Sequence, residues 1–206
     1  MTQPDDIEIT QLLAASPGPG EETMRRLRDR LVQDAESAGI LDVGYRSIDT
    51  PVGPLLLAAT GQGLVRVAYA IEDHDRVLDQ LAAKVSPRVL RAPARLDTAA
   101  REFDEYFTGR RTSFDLPLDL RLSRGFRREV LARLPTIGYG STASYAAMAA
   151  AAGHPKAVRA AASACATNPL PVIVPCHRVI RSDGTFGGYV GGEAAKRTLL
   201  TLEGAA

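Results

Sequence analysis

One short run of this chain, Val174–Ile180, holds the residues whose types and spacing are best suited to chemistry. It places Cys176 directly before His177 and Arg178. A thiol is a nucleophile only as a thiolate, and an unperturbed cysteine, with a pKa of about 8.5, is mostly protonated at neutral pH. A neighbouring imidazole and guanidinium both lower that pKa, so the run predicts a nucleophilic cysteine. Because the next side chain in sequence does not point at the sulfur, a proton route to His177 needs a water or a bend. The alternative is a buried cysteine that merely adjoins a histidine.

Further motifs lie on both sides of this run. The run Pro175-Cys176-His177-Arg178-Val179-Ile180 resembles the acceptor-cysteine motif of the O6-alkylguanine-DNA alkyltransferases, also called methylated-DNA–protein-cysteine methyltransferases. The likeness is also carried, in order, by Tyr139-Gly140, Ser144-Tyr145, Gly153 to Arg159, Asn168 to Pro171, Gly187 to Gly192 and Leu199 to Glu203. It spans about Phe126 to Gly204, with a weaker match back to about Leu41. Several motifs in this order and at this spacing are far more specific than any one of them.

The resemblance implies both an activity and a fold. The activity is repair of O6-alkylguanine, and of O4-alkylthymine, in DNA by irreversible transfer of the alkyl group to Cys176 after base flipping from the minor groove. Each molecule acts once, without a metal or any other cofactor. The fold is a ribonuclease H-like α/β domain followed by a mostly helical, winged helix-turn-helix domain.

The resemblance also implies roles for the residues near the sulfur. His177 takes the thiol proton through a water, and Glu203 orients and charge-stabilises the imidazole. Asn168 shapes the turn and hydrogen-bonds near the sulfur, and Tyr145 donates to the departing guanine. The implied catalytic residues are therefore Cys176, His177, Glu203, Tyr145 and Asn168.

A substrate pocket follows from the same resemblance. Its implied lining is Val179, Tyr189, Val190 and Gly191. The carbonyls of Cys176 and Val179 would accept hydrogen bonds from the guanine amino group, and Tyr189 would wall the pocket against the base. Val190 stands where some relatives have a hydroxyl residue able to donate to O6, so its effect on recognition of O6 stays open.

The segment Lys156–Ala166 is an unusual helix, because a recognition helix normally displays long polar side chains and this one is nearly all alanine. Small residues let a helix enter the narrow minor groove, although tight packing in the core is the alternative. By resemblance, Arg159 fills the gap left by the flipped base. The implied DNA-contacting residues are Arg159, Tyr145, Ala160, Lys156, Ser163 and Arg178.

Charge is divided unevenly along the chain. The 206 residues carry a formal net charge of +1, but residues 121–206 hold eleven basic and four acidic residues (+7), and residues 1–120 hold fourteen basic and twenty acidic ones (−6). A basic second half suits a phosphate-binding surface, with ordinary surface asymmetry as the alternative. The expected partner is alkylated double-stranded DNA, and we expect a monomer that can cluster along DNA.

Cysteine and histidine are scarce. Two cysteines, Cys165 and Cys176, and the scattered His74, His154 and His177 provide neither a disulfide framework nor a metal site. A structural zinc carried by the first domain of some relatives is therefore expected to be absent, and Cys165 is expected to serve packing. No signal sequence opens the chain, and no apolar run approaches the roughly 20 residues that span a bilayer, so no membrane partner is expected. A free reactive thiol favours the reducing cytoplasm.

Composition and pattern divide the chain near residues 40 and 120. Residues 1–40 form an extension outside the resemblance, with a predicted helix from Glu21 to about Ser37. Its apolar stripe would be Met24, Leu27, Leu31 and Ala35. Residues 41–120 form the α/β domain, and residues 121–206 form the DNA-binding and acceptor domain. The predicted strands are Gly44–Asp49, Leu55–Thr60 and Leu64–Ala70. The predicted helices are Asp73–Lys84, Asp97–Phe107, Gly125–Leu134, Tyr145–Ala152, Lys156–Ala166 and Glu193–Leu202, the fourth and fifth forming a helix-turn-helix.

Two other classes of protein share parts of this pattern. A lesion-binding module flips alkylguanine without transferring the group and flags it for other repair, but such relatives lack the acceptor cysteine and often have tryptophan there. A thiol hydrolase with a Cys-His pair usually brings its histidine from far along the chain and has an oxyanion loop, and neither is visible. The size of the alkyl group, the choice between single and double strands and the role of residues 1–40 do not follow from the sequence.

Overall fold

The first half of the chain is built around a mixed four-stranded sheet. The computed structural model describes residues 20–205. The elements are helix α1 (Glu21–Ser37), strands β1 (Val43–Ile48), β2 (Leu55–Thr60) and β3 (Gly63–Tyr69), helix α2 (His74–Lys84), strand β4 (Val89–Arg91) and helix α3 (Asp97–Phe107). The strands lie in the order β3-β2-β1-β4, with β4 parallel to β1 and the other neighbours antiparallel.

Apolar residues determine how this sheet is covered. Every residue of the central strand β2 is buried, as expected for a strand packed on both faces. One face packs against α2 through Val77 and Leu81. The other face packs against α3 through Phe103 and Tyr106 and continues into the second half of the chain.

The second half is mostly helical. It contains helices α4 (Gly125–Arg133), α5 (Tyr145–Ala151), α6 (Val158–Ala166) and α7 (Gly192–Leu202), with the short parallel strands β5 (Ala143–Ser144) and β6 (Val179–Ile180). Ser144 caps α5, because its hydroxyl accepts from the N–H of Ala147 at 3.1 Å. The turn between α5 and α6 passes through Gly153 at φ +82°, a conformation that favours glycine. Helices α5 and α6 contact each other as in a helix-turn-helix.

One apolar core joins the two halves. It combines Leu55 and Phe103 from the first half with Tyr145, Ala161 and Leu199 from the second, each at most 7% exposed. Cys176 belongs to the same core. The sheet and α3 therefore support the segment that carries the cysteine.

The predicted order of strands and helices is confirmed, with small shifts at the ends. Strand β2 and helix α3 have the predicted bounds. Helix α6 begins at Val158 rather than Lys156, because His154 to Ala157 form a turn closed by a 2.8 Å backbone hydrogen bond. The sequence does not predict β4, β5 or β6, which have three, two and two residues and are too short to show a period.

Helix α1 has the predicted bounds but not the predicted apolar stripe. Leu27 and Leu31 are each 54% exposed, so the prediction is wrong for both. Instead Val32 and Ala35 pack against Leu41. The apolar packing of the helix is confined to this last part, so Leu27 and Leu31 have no core to face.

Residues 1–19 of the predicted extension lie outside the described residues. Within residues 20–205, no helix combines the length and the apolar character needed to cross a membrane.

Candidate functional site

Cys176 lies at the start of a 3-10 turn, Cys176–Arg178, between Pro175 and strand β6. It is 1% exposed. The side-chain amide of Asn168 donates to Cys176 Sγ at 3.1 Å. The sulfur is therefore held inside the protein with one hydrogen-bond donor directed at it.

Asn168 also holds the loop that leads to the cysteine. Its Oδ1 accepts from the N–H of Leu170 at 3.0 Å, and its Nδ2 donates to the Val174 carbonyl at 2.8 Å. Between these two contacts, Val172 has φ +73°, which a β-branched residue rarely adopts. Such strain persists only where surrounding contacts impose it. Asn168 thus stabilises a strained loop as well as contacting the sulfur.

Glu203, just after α7, accepts four hydrogen bonds. Its Oε1 accepts from His177 Nε2 at 2.9 Å, from Tyr106 Oη at 2.6 Å and from Arg178 Nη2 at 3.0 Å. Its Oε2 accepts from Arg178 Nε at 2.8 Å. Because the carboxylate accepts from His177 Nε2, the other ring nitrogen, Nδ1, is an acceptor. Nδ1 is buried and has no partner among the described residues, so the imidazole is oriented as a base.

The thiol and the imidazole are both neutral in the resting site. Burial raises the pKa of Cys176 to about 11, and the Asn168 hydrogen bond and the Lys196 charge offset this only in part. Burial also lowers the pKa of His177, so the ring is uncharged at pH 7. The prediction that His177 and Arg178 lower the pKa of the thiol is therefore wrong for this state, because both side chains turn to Glu203 instead of the sulfur.

Arg178 lies within the site and does not reach the surface. It is 7% exposed, and its Nη1 donates to the Ile137 carbonyl at 2.6 Å. The prediction that Arg178 contacts DNA is wrong, because a buried guanidinium paired with Glu203 cannot reach a phosphate. Although burial opposes it, hydrogen bonds from His177 and Arg178 hold the pKa of Glu203 down at about 2. Since His177 is neutral at pH 7, Arg178 is the cation that keeps Glu203 ionised.

Lys196 of α7 is a fully buried cation near the cysteine. Its Nζ donates to the Val179 carbonyl and lies 5.9 Å from the centroid of the Tyr145 ring. Burial lowers the pKa of Lys196, and a negative charge on Cys176 raises it. A thiolate at Cys176 is thus favoured by this charge. The carbonyl that Lys196 contacts is the one predicted to accept from guanine, and that acceptance stays a prediction.

Tyr145 is the first residue of α5 and its ring packs into the site. It is 7% exposed. Burial raises the pKa of the phenol to about 12, so it stays protonated and able to donate. A Cβ on Gly187 would lie 2.2 Å from the Tyr145 hydroxyl, so the loop before α7 lies directly on the ring. The predicted contact between Tyr145 and DNA stays a prediction, because its phenol lies inside the protein.

The predicted pocket residues lie on two segments that flank α7 and the cysteine turn. Val179 follows the turn and is fully buried, whereas Tyr189, Val190 and Gly191 are half-buried in the loop before α7. The Tyr189 ring lies edge-on to the imidazole of His177, with centroids 6.3 Å apart. The wall predicted for the pocket is therefore next to the predicted base.

The face of α6 turned to solvent, with the turn before it, carries four of the residues predicted to contact DNA. All four are exposed: Lys156, Arg159, Ala160 and Ser163. The opposite face, with Ala161 and Cys165, is buried in the core. Core packing is therefore confirmed for the buried face, and entry of the exposed face into the minor groove stays a prediction. Arg159 makes no hydrogen bond or ion pair to another of the residues 20–205.

The site brings together several polar and ionisable side chains. Among residues 20–205, no three His, Cys, Asp or Glu residues lie close enough together to hold a metal ion. The two cysteines, Cys165 and Cys176, are both free and buried. The side chains around the cysteine turn offer a thiol, an imidazole, a carboxylate, a guanidinium, an ammonium group and several phenols.

Three side chains of the site come from outside the recognised motifs. Tyr106 of α3 donates to Glu203, Tyr69 of β3 hydrogen-bonds to Tyr189, and the charge of Lys196 lowers the pKa of Cys176. The two tyrosines lie in apolar segments of the other half of the chain, where the pattern indicates core packing. Lys196 does carry a signal, since it is the one charged residue on the buried stripe of α7, with leucines three and four positions later.

Fold and site together define a two-domain protein in which a helix-turn-helix half holds a buried cysteine beside a His–Glu pair. Two family models match the chain. Residues 43–120 match the ribonuclease-like domain of 6-O-methylguanine DNA methyltransferase, and residues 125–205 match its DNA binding domain. The chain therefore belongs to the 6-O-methylguanine DNA methyltransferase family, and the predicted family and fold class are confirmed.

Individual relatives agree with this assignment. The methylated-DNA–protein-cysteine methyltransferase of Mycobacterium tuberculosis is 40% identical over 161 residues, which cover 78% of this chain and 92% of the relative. The constitutive enzyme of that name from Bacillus subtilis is 36% identical over 163 residues, covering 77% and 94%. The crystal structure of Mycobacterium tuberculosis OGT in complex with DNA is similar with a TM-score of 0.69 and 40% identity, covering 79% of this chain and 93% of that one.

Proposed function

We propose that this protein repairs O6-alkylguanine in DNA by transferring the alkyl group to Cys176, once per molecule. The observation that carries the proposal is the arrangement around the sulfur. A buried thiol accepts from Asn168 at 3.1 Å, and the adjacent His177 rests on Glu203 at 2.9 Å with its other nitrogen unpartnered among the described residues. Relatives named methylated-DNA–protein-cysteine methyltransferases support DNA as the substrate and cysteine as the acceptor.

The reaction balances without a cofactor. The thiol proton passes through one water to His177 Nδ1. The sulfur forms a bond to the alkyl carbon as the bond from that carbon to guanine O6 breaks. The electron pair of the broken bond leaves with guanine, to which Tyr145 donates a hydrogen bond. The positive charge of protonated His177 balances the negative charge on the departing guanine. The product is a thioether, which is a poor leaving group, so the thiol is not regenerated.

The ionisation of the resting site protects the thiol. The pKa of Cys176 is about 11 and that of His177 is lowered from 6.5. Both shifts disfavour the charged forms, so the neutral thiol–imidazole pair is more stable than a thiolate–imidazolium pair. Proton transfer is therefore favourable only as the sulfur–carbon bond forms. Other electrophiles meet a thiol instead of a reactive thiolate.

The exposed face of α6 supports binding in the minor groove. Ala160 and Ser163 are small, so the helix backbone can approach a narrow groove closely. Arg159 is the long cation on this face and fills the space that a flipped base leaves. Flipping is needed because Cys176 is 1% exposed, and an alkyl group on a stacked base cannot meet a buried sulfur in line.

We extend the proposal to O4-alkylthymine, whose alkylated exocyclic oxygen offers the same kind of leaving group. One chain contains the thiol, the His177–Glu203 pair and the exposed helix α6. We therefore expect it to act as a monomer, and such monomers can cluster along DNA. A free thiol nucleophile suits the reducing cytoplasm.

The fate of the lesion in the DNA tests the proposal. Native protein should convert O6-methylguanine in a duplex to guanine, one lesion per protein molecule, as measured by nucleoside analysis after digestion. Cys176→Ser should bind the duplex and leave the lesion unchanged. Cys165→Ala, which alters the other buried cysteine, should repair normally. If native protein binds tightly and leaves the methylguanine intact, it is a lesion-flagging module, and turnover beyond one lesion per protein would contradict single use.

A further inference from the structure

We propose that Tyr69, a residue of the ribonuclease-like domain, is a positioning residue of the alkyl-transfer site. It fixes the pocket wall formed by Tyr189 and thereby sets the size of the alkyl group that the site accepts. The inference rests on the proposed function, because it concerns the pocket in which transfer occurs. Tyr69 is the last residue of β3 and is 2% exposed.

Tyr69 and Tyr189 contact each other through their rings and their hydroxyls. The two Oη atoms are 2.9 Å apart, and the ring centroids are 5.7 Å apart with an interplanar angle of 74°. Such an edge-to-face pair is a favoured aromatic geometry. Tyr189 in turn lies edge-on to His177, at 6.3 Å and 80°. A continuous row of three rings therefore runs from Tyr69 in the sheet of the first domain, through Tyr189, to His177, the proposed general base.

The loop that carries Tyr189 has no room to move toward Tyr69. A Cβ on Gly191 would lie 2.6 Å from atoms of the Tyr69 ring, closer than real contacts allow. Gly191 has φ −85°, which any residue can adopt, so its need for glycine comes from the ring and not from the backbone. A Cβ on Gly188, three residues earlier, would meet no other atom within 4 Å. The loop is held by Tyr69 at one end and is open in its middle.

This contact determines where the pocket wall stands relative to the sulfur. Transfer of a methyl group requires its carbon to lie in line with Cys176, and a misplacement of about 1 Å can cost roughly 100-fold in rate. Without the contact to Tyr69, Tyr189 would be free to move. The pocket would then position a methyl group less accurately but admit a larger alkyl group more easily. The Tyr69 hydroxyl hydrogen-bonds to Tyr189 and not to Cys176, His177 or Glu203, so we assign its effect to Tyr189.

Paired glycine substitutions isolate the ring contact. Gly191→Ala inserts a methyl group against the Tyr69 ring, whereas Gly188→Ala inserts one into open space in the same loop. Single-turnover transfer from an O6-methylguanine duplex, with protein in excess, separates the maximal rate constant from the apparent DNA dissociation constant. We expect Gly191→Ala to lower the maximal rate at least about tenfold at unchanged DNA affinity, and Gly188→Ala to stay within about twofold of native.

The hydroxyl contact is tested by Tyr69→Phe, with Tyr45→Phe as the matched control. Tyr45 lies in β1 and packs with the separate cluster around Val43 and Leu56. We expect Tyr69→Phe to raise the ratio of benzyl to methyl transfer, from duplexes carrying O6-benzylguanine or O6-methylguanine, at least about fivefold. Tyr45→Phe should leave the ratio unchanged. A loss of overall stability alone would lower the rate of transfer from both duplexes equally and leave their ratio unchanged.

The outcomes separate this inference from the proposed function. If native protein transfers no methyl group, the proposed function fails. If native protein transfers normally but the substrate ratio of Tyr69→Phe equals that of native, or Gly191→Ala transfers as fast as Gly188→Ala, the role of Tyr69 is overturned alone. Should thermal unfolding show that Gly191→Ala does not fold, the substrate ratio measured with Tyr69→Phe decides whether Tyr69 has this role.

Discussion

Replacing Glu203 by glutamine removes one charge from the centre of the site and keeps the shape of the side chain. The carboxylate accepts from His177, from Tyr106 and twice from Arg178, at 2.6 to 3.0 Å. In Glu203→Gln the guanidinium of Arg178, which is 7% exposed, would stay charged and lose this carboxylate. Leaving one member of a buried ion pair unpaired costs about 3–5 kcal/mol. We expect that loss in the free energy of unfolding at pH 7.

The pKa of Glu203 gives a similar figure. It is lowered from 4.5 to about 2, and a shift of about 2.5 units corresponds to roughly 3 kcal/mol. Because the carboxyl has a lower pKa folded than unfolded, its contribution is complete above about pH 5 and is lost as the pH falls toward 2. The difference between native and Glu203→Gln should therefore narrow as the pH is lowered from about 5 to about 3.

Urea unfolding measures this difference, and two variants control it. Glu193→Gln, on the same helix, alters an exposed carboxylate paired with Arg197 and should change the free energy by less than about 0.5 kcal/mol. Adding Arg178→Met to Glu203→Gln removes the unpaired charge and should recover at least about half of the loss. Equal stabilities of Glu203→Gln and Glu193→Gln, or no recovery in the double variant, would refute the reasoning.

Three further expectations concern transfer itself. Because burial lowers the pKa of His177 from its usual 6.5, native transfer should be independent of pH around neutrality and fall only at lower pH, where His177 gains a proton and ceases to be a base. In His177→Gln the rate should instead rise about tenfold per pH unit between about 6 and 9, since the thiol pKa is about 11. A pH-independent rate in that variant would exclude His177 as the base. Lys196→Met should slow transfer at least about tenfold, because a positive charge that lowers the pKa of Cys176 is lost, and an unchanged single-turnover rate would show that this charge does not act on the sulfur. Arg159→Ala should slow transfer from a duplex at least about tenfold but from the free O6-methylguanine base by less than about twofold, with Arg101→Ala, an exposed arginine of α3, as the control. Equal losses on duplex and free base would remove the base-flipping role from Arg159.

The elements that the sequence predicts well are those with a clear local period. Strand β2 is an unbroken apolar run, and α3 repeats its aromatic residues at helical spacing, so their bounds follow from the pattern. Strands β4, β5 and β6 exist because of partners distant in the chain, and a local pattern does not encode such partners. The wrong stripe on α1 has the same cause, since Leu27 and Leu31 have helical spacing but no surface to pack against.

For the site, the motif residues follow from the sequence, whereas their surroundings do not. The neighbours of Cys176 in sequence suggest a lowered thiol pKa, but both side chains turn to Glu203, and burial decides the pKa instead. The burial of Arg178 likewise depends on Glu203, twenty-five residues away along the chain. Tyr69 and Tyr106 enter the site from the first domain, and only the packing of the two halves reveals them.

The mass of the protein after reaction tests transfer to Cys176 most directly. The protein is incubated with an excess of O6-methylguanine duplex, its intact mass is measured, and its peptides are mapped. The account predicts a gain of one methyl group, saturating at one per molecule, on the peptide that contains Cys176 and not on the one that contains Cys165. Tight binding of the duplex with no gain in mass, or a methyl group on any other residue, would contradict it.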